Sequence, residues 1–485
     1  MDQSKKSFLK NMLGFSMATW ITFVLGFVAT PIATRLFPTE EMGKLNMFNN
    51  YASLLSSACY LGLDQAFVRF FRETPGRSTR RSLLTFCLAV PLAFSLLASG
   101  GLCFFWQRIS VEIAGAADPG VFACLVLYSF CLVLFRFLSL SYRMEQNAVL
   151  YTVQAVLHAL LTKVAYLAVG FTAPTGRAAL LSLTVLMGLF TLAFLWMQRG
   201  RMEVDFLRHT DRETVRTLAA YALPLVPINL LAWANSSTSA LVLKHLLGYS
   251  ATGIYTSALG LASTINIIQT GFNTYWAPYV LEHYQSDDSR RFYTVHRLMA
   301  CMLTLFGLAI TLLQTPVFLL LGKAYRSSVV FFPFLFLSPI CYCLGETTGM
   351  GITISKKSYW NTLIYLFSAL INIALCFAFI PSMDMAGAAL ASALSAVLTL
   401  LLRTRVGEHY YRVLNSYRYL AYTIGLMLAA SFGNLWLAGV WKYALLALCL
   451  GAACLLYRDE LKTLWQAAWE ILRAMRRGKG GAAKP

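Results

Sequence analysis

Charge is scarce in this chain, and negative charge most of all. Charged residues make up 13% of its 485 residues, with 21 Asp and Glu against 40 Lys and Arg. A soluble domain carries about a quarter of its residues as charged side chains, so a water-soluble enzyme or binding module is excluded. The six histidines stand apart, and the eleven cysteines are scattered, many inside apolar runs (Cys59, Cys87, Cys124, Cys301, Cys376). The nearest pair, Cys341 and Cys343, has a C-x-C spacing that does not make a metal site by itself, and small packing residues are the plainer reading. No cleavable leader is expected. "MDQSKKSFLKN" runs into an apolar stretch longer than a signal-peptide core, with no A-x-A-like site after it.

Long apolar runs are what the chain has instead. Hydrophobic residues make up 58% of it and mean hydropathy is +0.62. Runs near twenty residues recur, such as "LTLFGLAITLLQTPVFLLLG" and "TIGLMLAASFGNLWLAGVW", each long enough to cross a hydrocarbon layer as a helix. The pattern predicts an all-α polytopic membrane protein with about fourteen spans: 10–34, 45–66, 82–105, 120–141, 148–170, 178–197, 217–240, 252–279, 297–321, 328–350, 359–380, 385–402, 419–437 and 442–456. With the N-terminus in the cytoplasm, alternate connecting segments hold 30 Lys and Arg on the inner side and 8 on the outer side. That bias places both termini inside. The net charge of +19 is then mainly topological, lying against an anionic inner leaflet. Nucleic acid is not an expected partner, because no aqueous domain carries a concentrated basic face.

A repeat runs through the spans. "LFPTEEMGKLNMFNNYAS" (36–53) aligns with "LLGYSATGIYTSALGLAS" (246–263), putting Gly43 on Gly253, Ala52 on Ala262 and Ser53 on Ser263. "GRAALLSLT" from Gly176 is echoed by "GAALASALS" from Gly387. Each offset equals six spans, an even number, so the two copies have the same orientation in the membrane: a parallel repeat. The expected organisation is an N-terminal six-helix lobe (1–210), a C-terminal six-helix lobe (211–405), two further transmembrane helices (406–457) and a cytoplasmic amphipathic basic tail (458–485). In the tail, Leu461, Leu464, Trp465, Ala468, Leu472 and Met475 share one helical face. A cavity between the two bundles follows from this reading, with alternating access by rocking of one lobe against the other.

Two stretches carry a resemblance to a known family. "TPIATRLFPTEEMGKLNMFNNYASLLSSACYLGLDQAFVRFFRE" and "YALPLVPINLLAWANSSTSALVLKHLLGYSATGIYTSALGLAS" resemble the openings of the two lobes of Wzx-type polysaccharide (O-antigen and capsule) flippases. Their superfamily also holds MATE drug exporters and lipid II flippases. The resemblance implies a MATE-like, V-shaped two-lobe transporter in the bacterial cytoplasmic (inner) membrane. The implied activity is export of undecaprenyl-diphosphate-linked oligosaccharide, with no cofactor, coupling to H+ or Na+, and membrane lipids and other polysaccharide assembly proteins as partners. One departure is visible. Members often carry an Asp-Arg pair in span seven after the tryptophan, whereas Trp233 is followed here by "ANSSTSAL".

Polar residues inside spans are the candidate site, because a charge at the bilayer centre costs about 2.5–3.5 kcal/mol on insertion scales. Arg136 near the inner end of span four either faces the cavity or snorkels to the headgroups. Lys163 lies deeper in span five and is expected in the cavity. Gln154 and His158 share a helical face, with Lys163 about 140° further round; for His158, a hydrogen-bonded helix contact is the competing reading. A cationic lobe suits a diphosphate, gripped by guanidinium in a bidentate manner and by ammonium as a point charge. Arg35 at the outer mouth, and Arg69 with Arg72 at the inner mouth, extend that path or simply follow the positive-inside bias. Asp64 and Glu346 are the ion-coupling candidates, Glu346 with Lys356 or Lys357 as an alternative ion-pair partner. The second lobe offers Asn235, Asn266, Gln269 and Asn273 for sugar hydroxyls, or for interhelical hydrogen bonds, and Tyr255, Tyr275 and Trp276 for stacking on sugar rings. Three rivals to a glycan-lipid flippase are a MATE-type exporter, which would want acids in its cavity, a lipid II flippase, and a membrane glycan polymerase or acyltransferase. The last would need a large outer loop or a His/Asp cluster, and the chain has neither.

Overall fold

The computed structural model describes residues 3–466, apart from 77, 204, 285–288 and 358, together with residue 469. Among the described residues every regular element is helical. The short polar turns act as helix caps. Asp118, ahead of Pro119, accepts the Gly120 amide at 2.8 Å. Asn147 accepts from Leu150 at 3.1 Å and Asp211 from Thr214 at 2.8 Å. Thr79 and Ser82 close a reciprocal capping box. Each satisfies amide groups that a helix start leaves unpaired.

Eight helices among the described residues are long and apolar enough to cross a membrane, or nine if the bent pair Lys323–Val330 and Phe332–Thr348 counts as one span. The chain is thus a multi-pass helical membrane protein. Two of the eight, Arg212–Ala262 and Tyr359–Tyr410, run for 51 and 52 residues, more than twice the ~20 that one crossing needs. Both are broken inside. Gly248 (φ 82°) interrupts the first and Asp384 (φ 51°) the second, at the positions where the sequence predicts the turns between spans seven and eight and between eleven and twelve. Prolines also sit inside helices, Pro31 in Gln3–Leu36 among them.

The chain forms two compact units. The first comprises 1–267, 319–327 and 365–388, and the second 268–318, 328–364 and 389–485. In the first, helix Thr39–Cys59 crosses the 249–262 part of Leu225–Ala262 at very short range. A methyl group on Gly43 would run into the carbonyl oxygen of Tyr249, and one on Gly253 into the carbonyl oxygen of Thr39. Only glycine permits this approach of two backbones. Thr39 and Ser250 share a 2.7 Å hydrogen bond, and Asn46 Nδ2 donates to Thr256 Oγ1 at 2.7 Å. Residues 39 and 249, 43 and 253, and 46 and 256 are each 210 apart. The two repeated stretches therefore meet face to face, each glycine against the counterpart of the other's neighbour. Segment 319–327 caps the same end: Tyr325 donates its hydroxyl to the carbonyl oxygen of Phe37 at 3.0 Å.

In the second unit, Ser289–Leu312, Phe332–Thr348 and Arg418–Trp436 pack against one another, and Gly439–Leu456 packs on the first and third of them. Gln314 reaches Asn434 at 2.5 Å, and Asn434 donates to the carbonyls of Val329 and Val330. Beyond Leu456 the chain is helical through 466. Buried Glu460 pairs there with Arg297, whose guanidinium lies 5.0 Å from the Tyr419 ring. Of the amphipathic face predicted for the tail, Leu461 and Leu464 are half-buried and Trp465 is exposed. Ala468, Leu472 and Met475 lie outside the described residues.

Candidate functional site

Two of the sequence candidates come together in the first unit. Asp64 opens the short helix Leu63–Phe70, which the chain enters through Leu61 (φ 51°) and Gly62 (φ 71°). Two left-handed residues in succession turn the chain sharply, and the second tolerates no side chain because Gly62 abuts the Ala222 carbonyl. Asp64 is buried there, on the same short helix whose Leu63, Ala66 and Phe67 join an apolar core with Cys59, Cys87, Val133 and Phe137. Arg136, from helix Pro119–Met144, sets Nη2 at 2.7 Å and Nε at 3.1 Å from Asp64 Oδ2. Gln65 donates to the same oxygen at 3.0 Å. The acid is 4% exposed and the base 39%. Asp64 Oδ1 is buried and has no hydrogen-bond partner. One carboxylate oxygen thus takes three donors while the other has none.

A second group lies on the helical stretch Ala148–Gly170, whose residues Leu161–Ala165 form a π turn. π turns inside α-helices occur frequently at functional sites, and this one holds Lys163. It also departs from the regular α-helical projection that set Lys163 about 140° from His158. Gln154 is fully buried, with both side-chain polar atoms unpartnered. His158 stacks on Phe135 with ring centroids 4.1 Å apart, and its Nε2 is unsatisfied. Lys163 is exposed and makes no hydrogen bond or ion pair among the described residues.

The other candidates are dispersed. Arg35 is exposed at the last turn of Gln3–Leu36. Arg69 is paired with Glu73 at 3.6 Å, and Arg72 is exposed. Asn235 donates to the carbonyls of Leu231 at 3.1 Å and Tyr365 at 2.8 Å, which makes it a tie between helices. Asn266 is exposed and Gln269 half-buried on helix Asn266–His283, while the side chain of Asn273 lies outside the described residues, as does that of Tyr275. Tyr255 and Trp276, expected to stack on sugars, are both 2% exposed. Trp276 instead stacks on Phe272 at 5.2 Å and donates to the Glu346 carbonyl at 3.1 Å.

Glu346 is ion-paired in the second unit, and its partner is Arg403 at 2.9 Å, not the lysines suggested by proximity in sequence. Lys357 sits 4.5 Å over the Tyr410 ring instead. Arg403 falls one residue past the predicted end of span twelve at 402. The helix that carries it runs on through Tyr410, so the side chain is turned inward, 10% exposed, beside Gly345 and Gly349. Close by, His296 is buried, with Nδ1 at 2.7 Å from Thr347 Oγ1 and Nε2 unpartnered. Neither residue stands out in the sequence. A run of hydropathy ending at 402 hid Arg403, and a histidine at a predicted span edge gave no signal. Arg136 and Glu346 are 210 residues apart, the spacing that relates Gly43 to Gly253. Positions 210 apart thus carry opposite charges, each ion-paired within its own unit. Among the described residues no three His, Cys, Asp or Glu side chains gather as metal ligands.

Comparison with known proteins gives a sequence-level and a structural match. The profile of a family described as "Polysaccharide biosynthesis protein" matches residues 8–284. No curated protein sequence matches. Among solved structures the chain is similar to the lipid II flippase MurJ in an inward closed conformation, at 13% identity and a TM-score of 0.66, covering 92% of this chain and 98% of that one. It is also similar to an inward-facing MATE-family multidrug resistance transporter of the MOP superfamily, at 15% identity, a TM-score of 0.57, and 80% and 94% coverage. A MOP superfamily transporter from Pyrococcus furiosus, described by the reverse polarity of its binding pocket, matches at 14% identity with a TM-score of 0.50, covering 85% and 96%. At such identities these likenesses concern the fold.

Proposed function

The chain belongs to the polysaccharide biosynthesis protein family, and from that premise we propose that it is a flippase that carries undecaprenyl-diphosphate-linked oligosaccharide across the bacterial cytoplasmic membrane. The observation that carries the reading is the buried Asp64–Arg136 pair with its one unpartnered carboxylate oxygen, together with the unpaired Lys163 of the same unit. Basic groups deep in spans suit a pyrophosphate anion and do not suit the cationic substrates of a drug exporter. The pair also supplies a coupling device. While Asp64 is ionised it holds the Arg136 guanidinium. A proton or Na+ taken up at the free Oδ1 weakens that hold and releases two N–H donors to a diphosphate. Binding of the ion and binding of the substrate are then linked, as an ion-driven exporter requires.

In this reading residues 1–210 and 211–405 are the two like-oriented lobes, and alternating access moves the headgroup past Arg136 and Lys163. Both termini lie in the cytoplasm, on the strength of the charge bias. Lipid II is the nearest alternative cargo, since it shares the undecaprenyl diphosphate and differs in the headgroup attached to it. The test is export of lipid-linked glycan in cells and in proteoliposomes. Arg136→Ala and Lys163→Ala are expected to lower export at least tenfold while the protein still inserts in the membrane at normal abundance. Asp64→Asn is expected to abolish its dependence on the ion gradient. Normal surface polysaccharide in both basic variants would remove the reading, and an altered drug-susceptibility profile in a deletion strain would favour the drug exporter.

A further inference from the structure

The second unit holds a cavity of about 670 Å³ that the proposed transport path does not use, lined by Trp360 and by side chains of the 405–417 stretch. Its volume falls in the range of small-molecule sites. Arg405, His409 and Arg412 follow one another at intervals of four and three, so the first two share a helical face and the third continues it past the helix end at Tyr410. The turn that brings Arg412 round is fixed by Glu408. Its Oε1 accepts the backbone amides of Val413 at 2.9 Å and Leu414 at 3.1 Å. The one carboxylate in the lining is therefore committed to the backbone.

The arginines are not committed. Among the described residues neither Arg405 nor Arg412 makes an ion pair, whereas Arg403, two residues earlier, is neutralised by Glu346. Opposite them, Trp360 Nε1 donates to Tyr410 Oη at 3.0 Å, which fixes an indole and a phenol ring in the wall, and Lys357 lies over the Tyr410 ring. An inner-face charge bias explains basic residues at this end of the helix. It does not explain why two arginines without an ion pair among the described residues line the same aromatic-walled concavity, one of them, Arg412, near the Glu408 carboxylate. Guanidinium forks match phosphate oxygens two at a time, and fixed rings accept the apolar or ring-bearing part of the same molecule.

We propose that this cavity is a binding site for a phosphate-bearing headgroup, held by Arg405 and Arg412 against Trp360. The inference stands apart from the transport reading, since it uses a different unit and none of its residues. One ligand chemistry can reach the site from two sources, an anionic membrane lipid or a soluble phosphate compound.

The test uses the full chain. In phosphatidylcholine nanodiscs it is titrated calorimetrically with inorganic pyrophosphate. In a second arm, the lipids it retains from membranes containing phosphatidylglycerol are counted by native mass spectrometry. Pyrophosphate binding without lipid retention identifies a soluble occupant, and retained phosphatidylglycerol that pyrophosphate displaces identifies a lipid headgroup; either supports the site. In a chain already carrying Arg136→Ala and Lys163→Ala, so that the transport site is silent, Arg405→Ala with Arg412→Ala is expected to weaken binding at least tenfold, and Arg81→Ala, at an exposed base of the first unit, to leave it unchanged. Arg412 is exposed and beyond the helix, so the neutral Arg412→Gln makes the same test while leaving the Glu408 turn in place. No binding in either arm overturns the proposal. So does binding that stays within twofold in Arg412→Gln, or binding lost equally in Arg81→Ala.

Discussion

Arg136 puts two nitrogens on a single oxygen of Asp64 and leaves the other oxygen without a donor. The energetics of such a pair are asymmetric. Removing one partner strands a desolvated charge and costs about 3–5 kcal/mol, while removing both often costs little. Asp64 is almost wholly buried and Arg136 is not, so the stranded charge is worse when the arginine goes. Arg136→Met alone is therefore expected to lower the unfolding temperature of the detergent-solubilised protein clearly. Asp64→Asn should lower it less, and the combination Asp64→Asn with Arg136→Met should recover most of the loss. A double variant as unstable as the sum of the singles would mean that the two residues act separately. Both were legible in the sequence one at a time, as charges inside apolar runs. Their pairing, between positions 72 apart, was not, because no periodicity links two helices. Arg403 was lost for a simpler reason. Hydropathy ends a span where charge begins, but a helix continues as long as its backbone hydrogen bonds do.

At the scale of the helix, the echo of residues 36–53 in 246–263 was readable, and its consequence was not. Repetition says that two elements are alike, whereas the structure shows that they touch. The contact is built from what a glycine lacks: at Gly43 and Gly253 each backbone occupies the space of the other's side chain. Thr39 and Ser250 hydrogen-bond across it at 2.7 Å, close enough for cysteines in their place to join. Thr39→Cys with Ser250→Cys, in a background lacking the exposed Cys103 and Cys454, is expected to cross-link on mild oxidation. If this crossing opens during transport, oxidation stops export and a reductant restores it; export that persists in the fully cross-linked protein would make the crossing a static joint. Gly43→Val should abolish the cross-link by holding the helices apart. The π turn at 161–165 was the least legible element. It follows from no residue type in "LTKVA", only from how that segment packs against its neighbours.

Over the whole molecule, two divisions of the chain coexist because they measure different things. The repeat groups segments by common pattern, and compactness groups them by contact. The crossing of 39–59 with 249–262 keeps both repeated stretches within one compact unit. Fold class was legible because composition and run length leave a chain this apolar few alternatives. The number of crossings was less so, since the two longest helices each hold a break that hydropathy alone cannot distinguish from a loop. The final helix, Gly439–Leu456, is the sharpest case. Its 18 residues reach about 27 Å at 1.5 Å per residue, just short of a typical ~30 Å hydrocarbon core. Trp441 stands 76% exposed at its start, where an indole anchors a helix end at the membrane interface. Single cysteines at positions 177, 323 and 442, in the same background lacking Cys103 and Cys454, are therefore expected to react with an impermeant thiol reagent in intact cells. Cysteines at 201, 357 and 416 should react only after permeabilisation. Protection of position 442 alone would mean that the last two helices do not cross. Reversal of the whole pattern would invert the orientation, and the cavity beside Arg405 would then face the outside.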